Sequence, residues 1–370
     1  MKVCVVITAR PSYSRVKTVL ENLKGKCDLQ IITAASALVE RFGNVSAVIE
    51  EDGYEITRRV PCLVDGNGPE SMALSTSLAL QGFTSAFSDL RPDCVVTIAD
   101  RYETLATAIA ASHLNIPLIH LQGGEVTGSI DDKVRYAVSQ LADRHFVATE
   151  NAEARMWIRG YPGRHVVRTG CPSIDLARRH MGSLRFLVFE EYGGVGPTWD
   201  FEARDYLIVL QHPVTDEYGR AADQIVETLA AVKQVGMPAF WFWPNPDAGS
   251  GAVAQQLRIW REKNPDAKVH FFRSLRPEHF LNLMFNAACI VGNSSVAIRE
   301  GSYTGTPAVN IGSRQRGRER GSNVIDSNCS RLEIKIGIQQ ALVMERPMSN
   351  LYGDGFSGPR IASLILDGGR

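Results

Sequence analysis

From Lys2 to Ile311 the chain alternates short apolar runs with stretches of helical periodicity. It does so twice, on either side of one irregular segment. Lys2-Val-Cys-Val-Val-Ile-Thr8 is a continuous β-branched run, the pattern of a strand buried on both faces. Further strands are predicted over 29–33, 94–99, 117–121, 145–148 and 166–168, separated by helices over 14–23, 70–90, 103–113, 131–142 and 151–159. Residues 182–204 are Gly-rich and irregular, which reads as a linker or long insertion. The alternation then resumes, with strands at 205–210, 239–243, 268–272, 289–291 and 307–311 and helices near 216–235, 251–263, 277–286 and 295–303. Repeated β-α-β units imply parallel sheets with helices on both faces. The expectation is two doubly wound α/β domains, residues 1–180 and 181–350, with 351–370 packing back on the first. Ligands of such sheets sit beyond the carboxyl ends of the strands, so a site between the halves is expected.

Composition narrows the partners. Forty Lys+Arg balance forty Asp+Glu, so the excess cationic charge that a nucleic-acid binder relies on is missing. No apolar run approaches the ~20 residues of a membrane span, and the N-terminus carries no signal-like apolar region. The expectations are therefore no nucleic-acid partner, no membrane and a cytoplasmic location. The seven cysteines (4, 27, 62, 94, 171, 289 and 329) are scattered, with no C-x-x-C pair, and read as buried reduced thiols. The eight histidines show no ligand spacing, so no metal site is expected.

The polar residues that follow strands are the candidates for chemistry. Thr8-Ala-Arg10-Pro-Ser-Tyr-Ser-Arg15 joins the first strand to the first helix, with Ser12 a plausible N-cap. A helix start with Arg10 and Arg15 suits an anion; solvated arginines on a capped turn are the plain alternative. Neither a Walker A nor a G-x-G-x-x-G pattern is present. Asp100-Arg101-Tyr-Glu103 sets a carboxylate at a strand end, as a functional group or as a cap for the next helix. In Gln122-Gly-Gly-Glu125-Val-Thr-Gly-Ser-Ile-Asp131-Asp132 two glycines let backbone approach a ligand. Three carboxylates follow; crowded acids raise one another's pKa, and Asp131 or Asp132 is expected to cap the next helix. Gln211-His212-Pro213 places a histidine as acid, base or phosphate donor. Asn245 and Asp247 follow a strand within turn-forming sequence. Gly292-Asn-Ser294-Ser295 opens a helix that also carries Glu300, and its N–H and O–H groups suit a diphosphate. Of the arginines 314, 316, 318 and 320, Arg314 lies nearest a strand end, and a solvated loop is the alternative for the group.

In order and spacing these segments resemble the UDP-N-acetylglucosamine 2-epimerase family, especially its hydrolysing, sialic-acid-pathway branch. The most specific pieces are Gly123-Gly-Glu-Val-Thr-Gly-Ser-Ile-Asp131-Asp, Gly292-Asn-Ser-Ser295 with Arg299-Glu300, and Gly305-Thr-Pro-Ala-Val-Asn-Ile-Gly-Ser-Arg314-Gln. The resemblance implies a GT-B-type fold of two Rossmann-like domains. It implies release of a nucleoside diphosphate with inversion at C2, giving a free 2-epimeric sugar, with no cofactor and a homodimeric or homotetrameric assembly. It makes Asp100 and Asp131 catalytic carboxylates and His212 an active-site histidine. Arg10, Asn245, Ser294, Ser295, Glu300 and Arg314 become the nucleotide- and phosphate-binding set.

Two positions depart from the family. Gln122 stands where the family has a catalytic Glu, and Ser36-Ala37-Leu38 where the hydrolysing branch often has a histidine. A carboxamide cannot exchange a proton near neutrality, so Glu125 is a candidate to take over. The same substitution raises an alternative, nucleotide-sugar hydrolysis or glycosyl transfer without epimerisation.

Overall fold

A computed structural model describes residues 1–161, 163–184 and 186–368. Arg185, inside the irregular segment, and Gly369 and Arg370, at the end of the C-terminal one, lie outside the described residues. The front sheet contains β1 (Lys2–Ile7), β2 (Asp28–Ala34), β3 (Arg58–Val60), β4 (Cys94–Ile98), β5 (Leu118–Leu121), β6 (Arg144–Val147) and β7 (Val166–Arg168). Its order is β3-β2-β1-β4-β5-β6-β7. The rear sheet contains β8 (Leu207–Leu210), β9 (Ala239–Phe242), β10 (Val269–Phe272), β11 (Cys289–Gly292), β12 (Ala308–Ile311) and β13 (Val324–Ser327), ordered β10-β9-β8-β11-β12-β13. Every pairing of named strands is parallel. Both sheets reverse direction beside their first strand, between β1 and β4 and between β8 and β11. At such a reversal the loops leave toward opposite faces and open a crevice.

The apolar runs become central strands because both of their faces are covered. Val3, Val5 and Ile7 pack with Val19, Leu20 and Leu23 on one side of β1, while Cys4 and Val6 pack with Ala79 and Phe83 on the other. In β8, Leu207 and Val209 face one core and Ile208 and Leu210 the other. β3 and β13 were not expected. They are short edge strands with polar, exposed positions (Arg58-Arg59; Asp326), so their apolar signal is weak. All seven cysteines are free, five of them buried.

Several local expectations are corrected. The first helix begins at Arg10 with Ala9 as N-cap, so Ser12 lies inside it; the helix ends at Ser14 and a second one covers Lys17–Leu23. Pro11 sits in the first turn, where its missing N–H costs nothing. Arg101, not Asp100, precedes the helix Tyr102–His113. Ser129 caps the helix Ile130–Leu141, and Asp132 instead accepts from the N–H groups of Thr127 (2.8 Å) and Gly128 (2.7 Å).

The segment 182–204 is held down by aromatics. Phe189 meets Trp199, Phe201, Phe240 and His270, which fastens the stretch onto the rear sheet. The helix Pro172–His180 is shared: Ile174, Leu176 and Ala177 pack with Leu281, Met284 and Ile298 of the rear core, while Asp175 accepts from Thr18 of the front half at 3.1 Å. The terminal helix Ser357–Leu366 crosses back, with Ile361, Ala362 and Ile365 in the front core beside Val19 and Leu23. Among the described residues, no helix is long and apolar enough to cross a membrane.

Candidate active site

Both sheets turn their switch points toward one cleft. It is lined from the front half by Arg10, Arg15, Asp100, Arg101 and Asp131, and from the rear half by His212, Asn245, Asp247, Ser294, Ser295, Glu300, Arg314 and Arg318. Charged and polar side chains from both halves converge on it, which suits a polar, anionic ligand.

The carboxylate end is built on β4 and the β5 loop. Asp100 follows Ala99, which adopts the left-handed backbone (φ 64°) that turns the chain off the strand. The β5 loop then turns at Gln122 (φ 69°) and Gly124 (φ 75°). A side chain at Gly124 would place its Cβ 2.3 Å from the carbonyl oxygen of Ala152, so only glycine fits this path. Asp100 accepts from the guanidinium of Arg135, which is fully buried and also donates to the Glu125 carbonyl (2.7 Å) and to Asp132 (2.5 Å). Burial opposes charge on Asp100, but Arg135, Arg15, Arg318 and Arg299 outweigh it and hold the carboxyl well below the usual range. Asp131 has the opposite fate. Burial, and then the negative charge of Asp100, push it up to about 6. Two carboxylates on one cleft are thus split, one permanently ionised and one able to exchange a proton near neutrality.

The other end collects donors. Asn293 clamps the β8 and β11 loops together: its side chain accepts from the His212 N–H and donates to the His212 carbonyl, both at 2.8 Å. The ring Nδ1 of His212 accepts from the Asn245 N–H at 3.2 Å. Burial and the charges of Arg314, Arg10 and Arg101 push His212 well below its ordinary pKa. The ring is therefore neutral, and since Nδ1 accepts, its proton sits on Nε2. Ser294 is the N-cap of the helix Ser295–Thr304 yet makes no side-chain cap bond, which leaves its hydroxyl for the cleft. Gly292 (φ 137°) brings β11 against the Leu210 carbonyl, where a Cβ would lie 2.0 Å away. Arg15 donates to Ser295 Oγ at 2.9 Å, Arg314 to the Asn293 carbonyl at 3.2 Å and Arg10 to the Arg273 carbonyl at 3.1 Å. Burial pushes Arg10 down to about 10. Glu300 keeps one buried carboxylate oxygen without a partner, as a ligand contact would require.

Nine of the candidates therefore share one cleft: Arg10, Asp100, Asp131, His212, Asn245, Ser294, Ser295, Glu300 and Arg314. Gln122 and Glu125 do not line it. Glu125 lies behind the wall, bound by Arg299 (2.5 Å) and Arg318, which outweigh burial and hold it down to about 2. That is too low for an acid or base near neutrality, so the expectation that Glu125 replaces the family's Glu is corrected. Gln122 accepts from Arg299 at 3.1 Å and donates to Cys171 Sγ at 2.9 Å. Sequence reasoning missed the buried Arg135 and set Arg318 aside as solvated. Arg318 is 4% exposed and lines the cleft.

The family profile described as UDP-N-acetylglucosamine 2-epimerase matches residues 21–366. The chain is 32% identical over 367 residues to the UDP-N,N'-diacetylbacillosamine 2-epimerase (hydrolyzing) of Legionella pneumophila, covering 98% of this chain and 95% of that one. It is 31% identical over 337 residues to the GDP/UDP-N,N'-diacetylbacillosamine 2-epimerase (hydrolyzing) of Campylobacter jejuni, covering 90% and 85%. In fold it is similar to the UDP-GlcNAc 2-epimerase of Methanocaldococcus jannaschii crystallised with UDP-GlcNAc and UDP, with a TM-score of 0.81, 16% identity and 99% of both chains covered. The Neisseria meningitidis UDP-GlcNAc 2-epimerase bound to UDP-GlcNAc gives a TM-score of 0.79 at 18% identity, covering 99% of this chain and 100% of that one. The fold is thus of the GT-B type, and the chain belongs to the UDP-N-acetylglucosamine 2-epimerase family.

Proposed function

We propose that the chain is a hydrolysing 2-epimerase. It converts a nucleoside-diphosphate N-acetylhexosamine and water to the free 2-epimeric sugar and the nucleoside diphosphate. The observation that carries this reading is the split carboxylate pair facing a donor-rich helix terminus across one cleft. Asp131, pushed up to about 6, is matched to proton exchange near neutrality. It takes the C2 proton as the C1–O bond breaks; the C2–H pair becomes a C1=C2 double bond and the diphosphate leaves with the C1–O pair. Asp100 stays ionised, faces the positive charge that develops at C1 and sustains the raised pKa of Asp131. Arg10, the Ser294 hydroxyl, the helix terminus and the Nε2–H of His212 receive the charge growing on the diphosphate. Water then adds its hydroxyl at C1, and a solvent-derived proton adds to the opposite face of C2.

Residues 1–180 would supply the sugar side and 181–350 the nucleotide side, with Asn245, Glu300 and Arg314 on the nucleotide. The hydrolysing epimerase names of the relatives support epimerisation over simple hydrolysis or glycosyl transfer. They make UDP the first base to try and a diacetamido sugar the first alternative to UDP-GlcNAc. Cytoplasmic residence and a homodimer or homotetramer belong to the same reading, and light scattering tests the assembly. The deciding experiment is turnover in D₂O. Free sugar deuterated at C2, with the configuration inverted by NMR, is expected. Product that keeps its hydrogen at C2 would sink the elimination route.

A further inference from the structure

The two candidates that miss the cleft do something together. Glu125 sits in the front half, and its Oε2 accepts from Arg299 of the helix Ser295–Thr304 and from Arg318 of the loop after β12, both in the rear half. Their side chains are sealed from solvent, at 3% exposure for Glu125, 1% for Arg299 and 3% for Arg318. Gln122, also in the front half, accepts from the second amino group of Arg299 at 3.1 Å. Arg318 is steered further, by a 2.6 Å bond from its Nε to Gln315, and its free end lies 3.9 Å from Asp100. Arg135 closes the circle with Asp100 and Asp132. Within this network three arginines face three carboxylates.

We propose that Gln122 and Glu125 are positioning residues that form a buried latch between the two halves behind the cleft wall, holding the rear half closed through Arg299 and Arg318 and setting Arg318 against Asp100. These charges stay buried only while the halves are together; separation exposes and hydrates them, so the pairing acts through closure. Position 122 is neutral for the same reason. A carboxylate there would put a fourth buried negative charge against three arginines and compete with Glu125 for Arg299. The amide orients Arg299 without upsetting that balance. Gln122 and Glu125, which do not line the cleft, act on Asp100 and Asp131 through closure and touch no substrate themselves.

This inference rests on the reading above in taking UDP as the probe and in its kinetic readout, whereas the scattering readout is independent of it. The test uses the full chain with Glu125→Gln, Gln122→Glu and the double variant, each checked for folding by circular dichroism. Small-angle scattering reads closure without nucleotide, calorimetry reads UDP affinity, and steady-state kinetics read kcat and KM. Glu125→Gln is expected to enlarge the radius of gyration and weaken UDP binding about tenfold, in the range of ordinary coupling between sites. KM should rise more than kcat falls. The double variant returns a carboxylate to Arg299 and is expected to recover part of the affinity and compactness, which a merely structural role would not do. A folded Glu125→Gln with the parent's radius and UDP affinity overturns the latch. So does a fall in kcat alone, which would place Glu125 in the chemistry. If Glu125→Gln does not fold, Arg318→Lys decides: it keeps the charge but cannot reach Glu125 and Asp100 together, and parental values there overturn the proposal equally. A parent that turns over no nucleotide sugar, while the radius responds as described, would sink the functional reading and leave the latch standing.

Discussion

The two ends of the cleft solve opposite electrostatic problems. At the carboxylate end Asp100 is answered by Arg135, and behind the wall Glu125 is answered by Arg299 and Arg318. At the donor end Arg314 keeps only a 4.0 Å contact with Asp247, and Arg10 and Arg15 meet neutral partners. Arg10 donates to a backbone carbonyl, Arg15 to a serine hydroxyl, and His212 is held neutral by burial and by the arginines around it. A compensated region can fix one carboxylate as a permanent anion and leave its neighbour Asp131 to titrate. A less compensated region is prepared for charge that arrives with a ligand and grows during reaction. The two ends should therefore fail differently when altered.

The largest effect is expected at Asp131. Asp131→Asn removes the proton-exchanging group and keeps the shape, so turnover should fall by about 10²–10⁴, the range of general acid–base contributions. UDP affinity, set at the other end, should stay within a few-fold by calorimetry. A large loss of UDP binding would show that the two ends are not separable.

Ser294→Ala tests the donor end. Its hydroxyl makes no cap bond, so thermal stability should be nearly unchanged. Turnover should drop by about 10²–10³, as for removal of one preorganised oxyanion donor. Pre-steady-state kinetics would place the loss in diphosphate departure. A variant with parental kcat would show that the hydroxyl does not meet the leaving group.

The next effect is one of pH. In the free enzyme Asp131 is pushed up to about 6, and as the base it must be ionised. The profile of kcat/KM should therefore fall about tenfold per pH unit as pH drops below about 6. Glu125 at about 2 and the still lower Asp100 remain charged through this range. A fall on the alkaline side instead would make Asp131 the acid of the first step.

Much of this division could be read before the fold was known, because strands buried on both faces are apolar runs and the site lies just beyond them. Arg10, Asp100, His212 and Ser294 each follow such a run, so locating the strands located the groups. The compensating arginines were illegible for the converse reason. Arg135 and Arg299 sit within helices, where an arginine in sequence reads as solvated surface; their burial depends on carboxylates up to 174 residues away. Glu125 misled because it stands three residues from Gln122 in a motif rich in acids. The left-handed turn at Gln122 and Gly124 aims it behind the wall. Helix starts were misjudged where a carboxylate had a stronger partner than a cap: Asp100 goes to Arg135, and Asp132 to the loop N–H groups.

The smallest expected effect is on stability, and its sign separates the ends once more. Asp131 is raised on folding, from the ordinary 3.8 to about 6. Between those values the folded chain keeps a proton that the unfolded chain has lost. Its stabilising share is thus complete below about pH 4 and is lost as pH rises through about 6. Asp131→Asn removes this penalty, so the variant should gain on the parent with rising pH. A tenfold change in a proton-binding constant is worth about 1.4 kcal/mol, or about 2 °C in a chain of this size. The melting-temperature difference between variant and parent should therefore widen by about 4 °C from pH 4 to pH 7, then level off. Ser294→Ala carries no titrating group and should show no such trend. If the Asp131→Asn difference is the same at every pH, Asp131 is not raised by its surroundings, and the contrast between a titrating and a fixed carboxylate is lost.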